Sequence, residues 1–395
     1  MPIYLDHNAG APMRPTVRAA LTEFLARETG ANPASIHRSG QRARRELERA
    51  RERVARLLGA PTRSIVFTSG GTEANNLAIF GAARLSARRQ IVTTAIEHSS
   101  ILAPLTALES AGFEIVRVAP DSDGLVNPDA ITRHVGAETA LVTLGLANAE
   151  VGAIQTIAPV TEAARRAGAL LHLDAAQVAG RIPLAVDDFG CDLMALSAHK
   201  LGGPGGSGAL YVRPGNALAP VMLGGPQETG LRAGTPNLAG AIGFGVAAET
   251  VMGALEEESI RVGALSAQLL ERLLLAIPGL RLNGPRRERI QNTLNLTFPY
   301  VLGETMLIAL DLEGVEVSMG SACAAGAVEP SHVLLAMGRD PAAARSSLRI
   351  SLGWSTTAAE IARAGELIPL VWRRVVAAEP VSSAESAATT VGAAR

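Results

Sequence analysis

A chain of 395 residues carries 36 lysines and arginines against 37 aspartates and glutamates, so its formal net charge is −1. This length suffices for one large and one small domain. The balanced charge argues against a field that would draw the protein to nucleic acid or to an anionic membrane.

Neither the cysteines nor the apolar stretches indicate a secreted or membrane-spanning protein. Two cysteines, Cys191 and Cys323, give no disulfide framework and no multi-cysteine metal site. The first residues lack a basic or long apolar leader pattern, and charges or glycines interrupt every apolar stretch before it reaches membrane-spanning length. We therefore expect a cytoplasmic protein that binds small molecules or specific proteins, with no membrane and no direct nucleic-acid contact.

The first predicted elements are two helices, near residues 13–28 and 37–58. The second helix is rich in arginine, which indicates either a nucleic-acid surface or a solvated helix face with salt bridges. Glutamates interleave with the arginines and the whole chain is neutral, so we favour the salt-bridged face.

From about residue 60 to 215, short apolar runs rich in β-forming residues alternate with helical patterns. Such alternation predicts a mostly parallel sheet with helices on both faces, and ligands at the carboxyl ends of its strands. The seven predicted strands are residues 64–68, 90–94, 113–118, 140–144, 170–174, 193–197 and 208–212.

The last third predicts a smaller α+β domain. A long helical pattern runs from about 240 to 277, and strand-like segments follow at 293–298 and 347–352. We expect an N-terminal arm joining the small domain, a large domain, a small C-terminal domain and a disordered tail. Their predicted limits are 1–15, 16–255, 256–378 and 379–395.

Lys200 follows an apolar strand and precedes a glycine-rich stretch, so it is predicted at a tight turn. A desolvated lysine there can act as an amine nucleophile that forms a Schiff base, and a surface lysine is an equally good interpretation of this segment alone. Asp174, at the end of another apolar run, favours the Schiff-base interpretation. Pyridoxal phosphate needs a lysine for its aldehyde and a carboxylate for its pyridinium nitrogen.

Two strand-to-helix junctions could serve such a cofactor. Gly71 and Thr72 stand where a helix begins, and free backbone N–H groups there can hold a phosphate, although a plain junction is at least as common. His98 could lie on a pyridine ring and pass protons, but a histidine that satisfies a loop carbonyl is the commoner case.

Two residues of the C-terminal part could take part in catalysis or substrate binding. Cys323 lies in a run of small residues typical of an exposed, reactive thiol, whereas Cys191 lies beside a buried strand and looks inert. Arg349 stands inside an apolar strand pattern. It indicates either a bidentate site for an α-carboxylate or an edge-strand salt bridge.

Together these residues resemble the cysteine desulfurases of the NifS/IscS type, which are class V aminotransferase-like enzymes of the fold type I pyridoxal phosphate group. The resemblance implies an α/β fold, with a mostly parallel seven-stranded sheet covered by helices in the large domain and a smaller α+β C-terminal domain. It runs from Tyr4 to about Thr357, through motifs at 4–9, 32–37, 68–76, 97–98, 174–177, 197–200, 232–235, 320–323 and 347–353.

The resemblance also implies a role for each matching residue. Lys200 would bind the cofactor aldehyde and act as the base at the substrate Cα, Cys323 would be the nucleophile, and His98 would stack on the ring and shuttle protons. The other implied contacts are Asp174 with the pyridinium nitrogen, Gln177 with the ring oxygen, Gly71, Thr72, Ser197 and His199 with the phosphate, Thr235 with the phosphate of the other subunit of a homodimer, and Arg349 and Asn148 with the substrate.

The implied reaction converts L-cysteine to L-alanine and leaves a persulfide on Cys323. The sulfur would then pass to an acceptor protein, such as an iron–sulfur scaffold or a tRNA thiolase. The alternatives are selenocysteine lyase or another class V enzyme, and a degenerate, non-catalytic paralogue.

A few positions depart from the family pattern. Ala149 replaces the second asparagine of the usual Asn-Asn-Glu, which removes a polar contact from the site. Thr229 replaces an arginine, Gly205 replaces a lysine, and residues 10–11 replace two threonines.

Overall fold

Strands and helices alternate along most of the chain in a computed structural model that describes residues 2–27, 30–320 and 329–378. The strands of this part are β1 (Ile3–Tyr4), β2 (Ile65–Thr68), β3 (Gln90–Thr94), β4 (Glu114–Val118), β5 (Thr139–Gly145), β6 (Leu170–Asp174), β7 (Leu193–Ser197), β8 (Gly208–Val212), β9 (Arg281–Asn283), β10 (Thr293–Thr297), β11 (Val315–Glu316) and β12 (Ser347–Ser351).

Helices connect most of these strands. They are α1 (Pro15–Ala26), α2 (Arg38–Leu57), α3 (Gly71–Leu85), α4 (Ser99–Ser110), α5 (Pro128–Thr132), α6 (Ala158–Ala167), α7 (Val186–Phe189), α8 (Leu238–Ala276), α9 (Gly303–Leu312), α10 (His332–Ala336), α11 (Pro341–Arg345) and α12 (Ala358–Ala378).

The central sheet has seven strands in the order β2-β8-β7-β6-β5-β3-β4. Every pair from β7 to β4 is parallel, and β8 runs antiparallel to both of its neighbours. The seven strands predicted from the sequence are these seven, with ends that differ by at most one residue. The mostly parallel α/β sheet is therefore confirmed.

Buried side chains cover both faces of this sheet, because neighbouring residues of a strand point to opposite sides. Val142 and Leu144 of β5 belong to one apolar cluster, whereas Leu141 belongs to another. Parallel strands buried on both faces read as continuous apolar runs, and this is why they were recognisable in the sequence.

A third apolar cluster lies around the antiparallel sheet β12-β10-β9. It includes Ile3 and Leu5 of the N-terminal segment, and β1 pairs with β11. The predicted domain limits stay a prediction, and the predicted tail at 379–395 lies outside the described residues.

Helix α8 joins the first and third clusters. Its N-terminal half packs in the first and its C-terminal half in the third. Gly245 allows a close approach to α2, since a Cβ there would stand 2.9 Å from Ala50 Cα.

By length and composition α8 could cross a membrane, with a mean hydropathy of 1.6 over 18 residues, of which 56% are buried inside the protein. The expectation that no apolar stretch reaches that length is therefore wrong for α8. The glycines that interrupt the stretch in the sequence do not interrupt the helix. The burial of its apolar residues against α1 and α2 indicates a core helix.

The arginine-rich helix α2 differs from the predicted solvated face at one position. Arg51 is buried and forms a bidentate ion pair with Glu228, with N–O distances of 2.6 and 2.8 Å. Arg53 and Arg56 form the expected surface pairs, both with Glu249.

Candidate active site

The candidate site lies at the carboxyl edge of the parallel strands. Strand β6 ends at Asp174 and β7 at Ser197, and their parallel register places Asp174 beside Ala195. A 3-10 turn, Ala198–Leu201, follows β7 directly and carries Lys200. Gly202 ends this turn with a φ of 77°, a left-handed value that favours glycine. The two residues that first suggested a cofactor therefore meet at one edge.

The Lys200 amine is held by the N-terminal segment. Its Nζ donates hydrogen bonds to the carbonyl oxygens of Asn8 and Ala9. Burial lowers the pKa of Lys200 to about 8, with Arg181 and Arg349 adding to the effect. About a tenth of this amine is consequently neutral, and thus nucleophilic, at pH ~7, far more than for an ordinary lysine.

A compositional signal for this site was missed in the motif analysis. Lys200 is the only lysine in the chain, so all other members of the 36 lysines and arginines are arginine. Arginine replaces lysine in most surface roles but cannot lose its proton to become a nucleophile. A sequence that retains a single lysine thus points to chemistry at that position.

Asp174 is held from two sides. Its Oδ1 accepts from the backbone N–H of Ala176 at 2.9 Å, and its Oδ2 accepts from Asn75 Nδ2 at 2.8 Å. Asn75 lies on the buried face of α3 and is 1% exposed. Sequence analysis gave it no role, although a buried amide needs partners.

The start of α3 forms a tight cradle with β7 and β8. A Cβ at Gly71 would stand 3.4 Å from Ser197 Cβ, and a Cβ at Gly208 would collide with the backbone of Gly70 at 2.5 Å. The free N–H groups of a helix N-terminus favour an anion. Ser197 Oγ lies 2.8 Å from His199 Nδ1, which places two predicted phosphate ligands together. Thr72, in the first turn of α3, is exposed.

Burial lowers the pKa of His199 to about 4, and the neighbouring Lys200 adds to the shift, so this imidazole is neutral. Glu73 steadies the start of α3 from outside the cradle. It accepts from Ser69 N at 2.8 Å and pairs with Arg232 at 2.8 Å.

His98 is the N-cap of α4, and its Nδ1 accepts from the backbone N–H of Ser100 at 3.1 Å. Burial lowers the pKa of His98, with smaller effects from Asp174 and Lys200. Hydrogen bonds through Ser100 and Asn75 link the imidazole to Asp174. Cys323 lies outside the described residues. The chain on both sides of that segment lies near one carboxylate. Ser331 Oγ donates to Glu150 at 2.5 Å, and a Cβ at Gly320 would stand 2.8 Å from the same oxygen.

Arg349 is 4% exposed and forms an ion pair with Asp6 at 2.6 Å. Its Nη1 makes only a long contact, 3.4 Å, with the Ala149 carbonyl, and its Nε is buried without a partner among the described residues. The salt bridge considered from the sequence is therefore present. The predicted substrate contact stays a prediction.

The remaining predicted residues are placed as follows. Asn148 holds its own turn, since its Oδ1 accepts from Glu150 N and Val151 N and its Nδ2 donates to Ile96 O. Gln177 Nε2 donates to the Asn8 carbonyl at 3.2 Å, beside Lys200. Thr235 is exposed. The substrate, ring-oxygen and cross-subunit contacts implied for these three residues stay predictions.

Residues 3–364 match the family model described as Aminotransferase class-V. The chain belongs to this family. A "Cysteine desulfurase IscS" of Dictyoglomus turgidum is 43% identical over 357 residues, which cover 90% of each chain. A solved structure described as a NifS-like protein is 34% identical and superposes with a TM-score of 0.89 over 95% of this chain and 100% of that one.

A structure described as SspA in complex with cysteine is 33% identical, with a TM-score of 0.79 over 89% of this chain and 98% of that one. The predicted resemblance and the predicted class V aminotransferase fold are confirmed by these relationships. Enzymes of the family use pyridoxal phosphate, and the lysine, the carboxylate and the anion cradle of this site fit the aldehyde, the pyridine nitrogen and the phosphate of that cofactor.

Proposed function

We propose that this protein is a pyridoxal phosphate-dependent cysteine desulfurase that converts L-cysteine to L-alanine and retains the sulfur as a persulfide on Cys323. The proposal rests on one observation above all. The only lysine of the chain has a lowered pKa and shares the edge of the parallel sheet with the buttressed carboxylate of Asp174. The name shared by its relatives selects the reaction within the family.

Each part of the cofactor has a complementary group in the site. Lys200 would hold the aldehyde, Asp174 the pyridine nitrogen, and the cradle of Gly71, Thr72, Ser197 and His199 the phosphate. When bound, pyridoxal phosphate supplies an electron sink for negative charge at the substrate Cα. Asp174 supports that role because its charge favours a protonated pyridine nitrogen.

The substrate's own groups would be handled by two basic residues. The Lys200 amine, neutral in part at neutral pH, would take the proton from Cα. Arg349 would bind the α-carboxylate with the N–H groups that Asp6 leaves without a strong acceptor.

The sulfur step requires a thiolate at Cys323. Its sulfur would attack the substrate sulfur, so that an S–S bond forms and the substrate Cβ–S bond breaks. The electron pair of the broken bond stays on the substrate carbon, which is protonated and leaves as L-alanine. The persulfide then carries the transferable sulfur on the enzyme.

We further propose a cytoplasmic homodimer in which Thr235 reaches the phosphate of the other subunit. The persulfide sulfur would pass to an acceptor protein, for which an iron–sulfur scaffold and a tRNA thiolase are the two candidates. Co-purification with one of them would select the pathway.

The two cysteines provide a matched test of the reaction. Cys191 is fully buried, and burial raises the pKa of its thiol to about 12, so it stays protonated and unreactive. We expect Cys323→Ala to abolish alanine release from L-cysteine while Cys191→Ala retains it, measured by alanine formation under reducing conditions. Undiminished alanine formation by Cys323→Ala would contradict the sulfur-transfer step.

A further inference from the structure

A hydrogen-bonded chain links Asp174 to His98 through two residues with no assigned role. Asn75 Nδ2 donates to Asp174 Oδ2 and to Ser100 Oγ, both at 2.8 Å, and Ser100 Oγ lies 2.7 Å from His98 Nδ1. A carboxylate only accepts hydrogen bonds, so Asp174 fixes which end of the Asn75 amide faces it. Both amide hydrogens of Asn75 are thereby used.

This chain determines the direction of each bond. Ser100 Oγ accepts from Asn75, so its own hydrogen is free to point at His98 Nδ1. The backbone N–H of Ser100 also points at Nδ1, at 3.1 Å, and a backbone N–H can only donate. His98 Nδ1 must therefore present its lone pair, which leaves the imidazole hydrogen on Nε2.

The same geometry disfavours the imidazolium form. A second proton would have to sit on Nδ1, facing two donors, at the positive N-terminal end of the 12-residue helix α4. Burial lowers the pKa of His98, and Asp174 opposes this effect while Lys200 and His332 add to it. The adjacent Glu97 turns its carboxyl group away, toward Thr94 and Gly145 N.

We propose that His98 works as a neutral imidazole whose Nε2–H is a fixed hydrogen-bond donor, and that Asn75 and Ser100 are the positioning residues that hold this state. In this state the Nε2–H is available to donate to an electron-rich atom of the bound substrate or cofactor. This inference rests on the proposed function only for the identity of that acceptor.

The tautomer can be measured directly in the holoenzyme. The chain has 7 histidines, and ¹⁵N-histidine labelling gives each ring a distinct pair of nitrogen signals. The His98 pair is assigned by its loss in His98→Gln. We expect an unprotonated Nδ1 and a protonated Nε2 from pH ~6 to pH ~8, the range around an ordinary histidine pKa. A protonated Nδ1, or an imidazolium at pH ~7, would overturn the proposal.

Neighbouring asparagines give a matched pair of variants. Asn75→Ala frees the Ser100 hydroxyl and an oxygen of Asp174, so we expect the proton affinity of His98 to rise about tenfold, one unit in its pKa. Asn76→Ala removes only a bond to the Thr72 carbonyl and should leave the His98 signals unchanged. Equal spectra for both variants would contradict the role of Asn75.

A third variant covers the case in which Asn75→Ala does not fold. Ser100→Ala removes one of the two donors at Nδ1 but keeps the backbone N–H, so the Nε2–H tautomer should persist with a higher His98 pKa. Alanine formation should fall by about fivefold, as expected for the loss of one hydrogen bond. A switch to the Nδ1–H tautomer in this variant would overturn the assignment. If wild-type protein forms no alanine from cysteine, the proposed function fails, whereas the tautomer measurement still decides this inference.

Discussion

At the scale of single residues, Lys200 carries the strongest prediction. Lys200→Arg keeps the positive charge, but a guanidinium does not lose its proton at neutral pH. We expect alanine formation to fall by more than about a thousandfold, as for removal of an essential nucleophile. Borohydride reduction of the wild-type holoenzyme should attach the cofactor at a single site, because the chain has one lysine. Peptide mass spectrometry would check this.

The lowered pKa of Lys200 adds a pH dependence to that prediction. The neutral amine is the reactive form, so uptake of pyridoxal phosphate by the apo-protein should accelerate as pH rises and level off above about 8. A rate that keeps climbing toward pH ~10.4, the ordinary lysine value, would show that burial does not tune this amine.

At the scale of elements, the cradle at the start of α3 depends on a glycine of β8. A side chain at Gly208 would stand 2.6 Å from Gly70 Cα, and this contact is with backbone, which cannot rotate away. We expect Gly208→Ala to lower the free energy of unfolding by about 1–3 kcal/mol and to weaken phosphate binding. Gly205→Ala is the control, since no atom lies within 4 Å of its Cβ position. Urea unfolding and cofactor titration would compare the two.

Glu97 ties the end of β3 to the end of β5, with hydrogen bonds of 2.6 Å from Thr94 Oγ1 and 2.7 Å from Gly145 N. Burial raises the pKa of Glu97 from 4.5 to about 8, so the fold prefers this carboxyl protonated. Its contribution to stability is therefore fully present below pH 4.5 and is lost as pH rises to about 8.

Glu97→Gln removes this titration. The unfolding free energy of wild type minus that of Glu97→Gln should fall by up to about 1.4 kcal/mol per pH unit over that interval and be flat above it. Denaturant unfolding at a series of pH values would measure this difference. A constant difference across the series would mean that Glu97 titrates normally.

The elements of the large sheet were predictable because each strand is a buried apolar run bounded by turn residues. Strands β6, β7 and β8 begin and end where the sequence analysis placed them. Helix α8 shows the limit of composition, because glycine interrupts an apolar run in the sequence without interrupting a helix that packs tightly on α2.

At the scale of the whole molecule, sequence motifs located Lys200, Asp174 and His98. They did not predict which side chains far apart in the sequence form hydrogen bonds or ion pairs with each other. Arg349 and Asp6 are 343 positions apart. The sequence pattern did not favour either interpretation of Arg349, a salt bridge or a substrate-binding site. Asn75 and Ser100 meet only because α3 and α4 pack together. Such partners follow from tertiary packing, which a local pattern does not encode.

Asn8 shows how the N-terminal segment holds the molecule together. Its Nδ2 donates to the Ala149 carbonyl at 2.9 Å and to Thr293 Oγ1 at 2.8 Å, and its Oδ1 accepts from Asn292 at 3.0 Å. Its carbonyl accepts from Lys200. One buried residue thus joins the loop after β5, the strand β10 and the site lysine.

Replacing Asn8 should therefore affect stability and site together. Asn8→Ala removes the buried side-chain hydrogen bonds with Ala149, Thr293 and Asn292, and we expect a loss of about 2–3 kcal/mol in the free energy of unfolding. Thr293→Val keeps the side-chain shape and removes only the hydroxyl. In a double-mutant cycle the two changes should couple by about 1 kcal/mol, because they remove the same hydrogen bond. If the two losses in unfolding free energy simply add, other contacts hold the N-terminal segment in place. The turn after β7 would then be the element that positions Lys200.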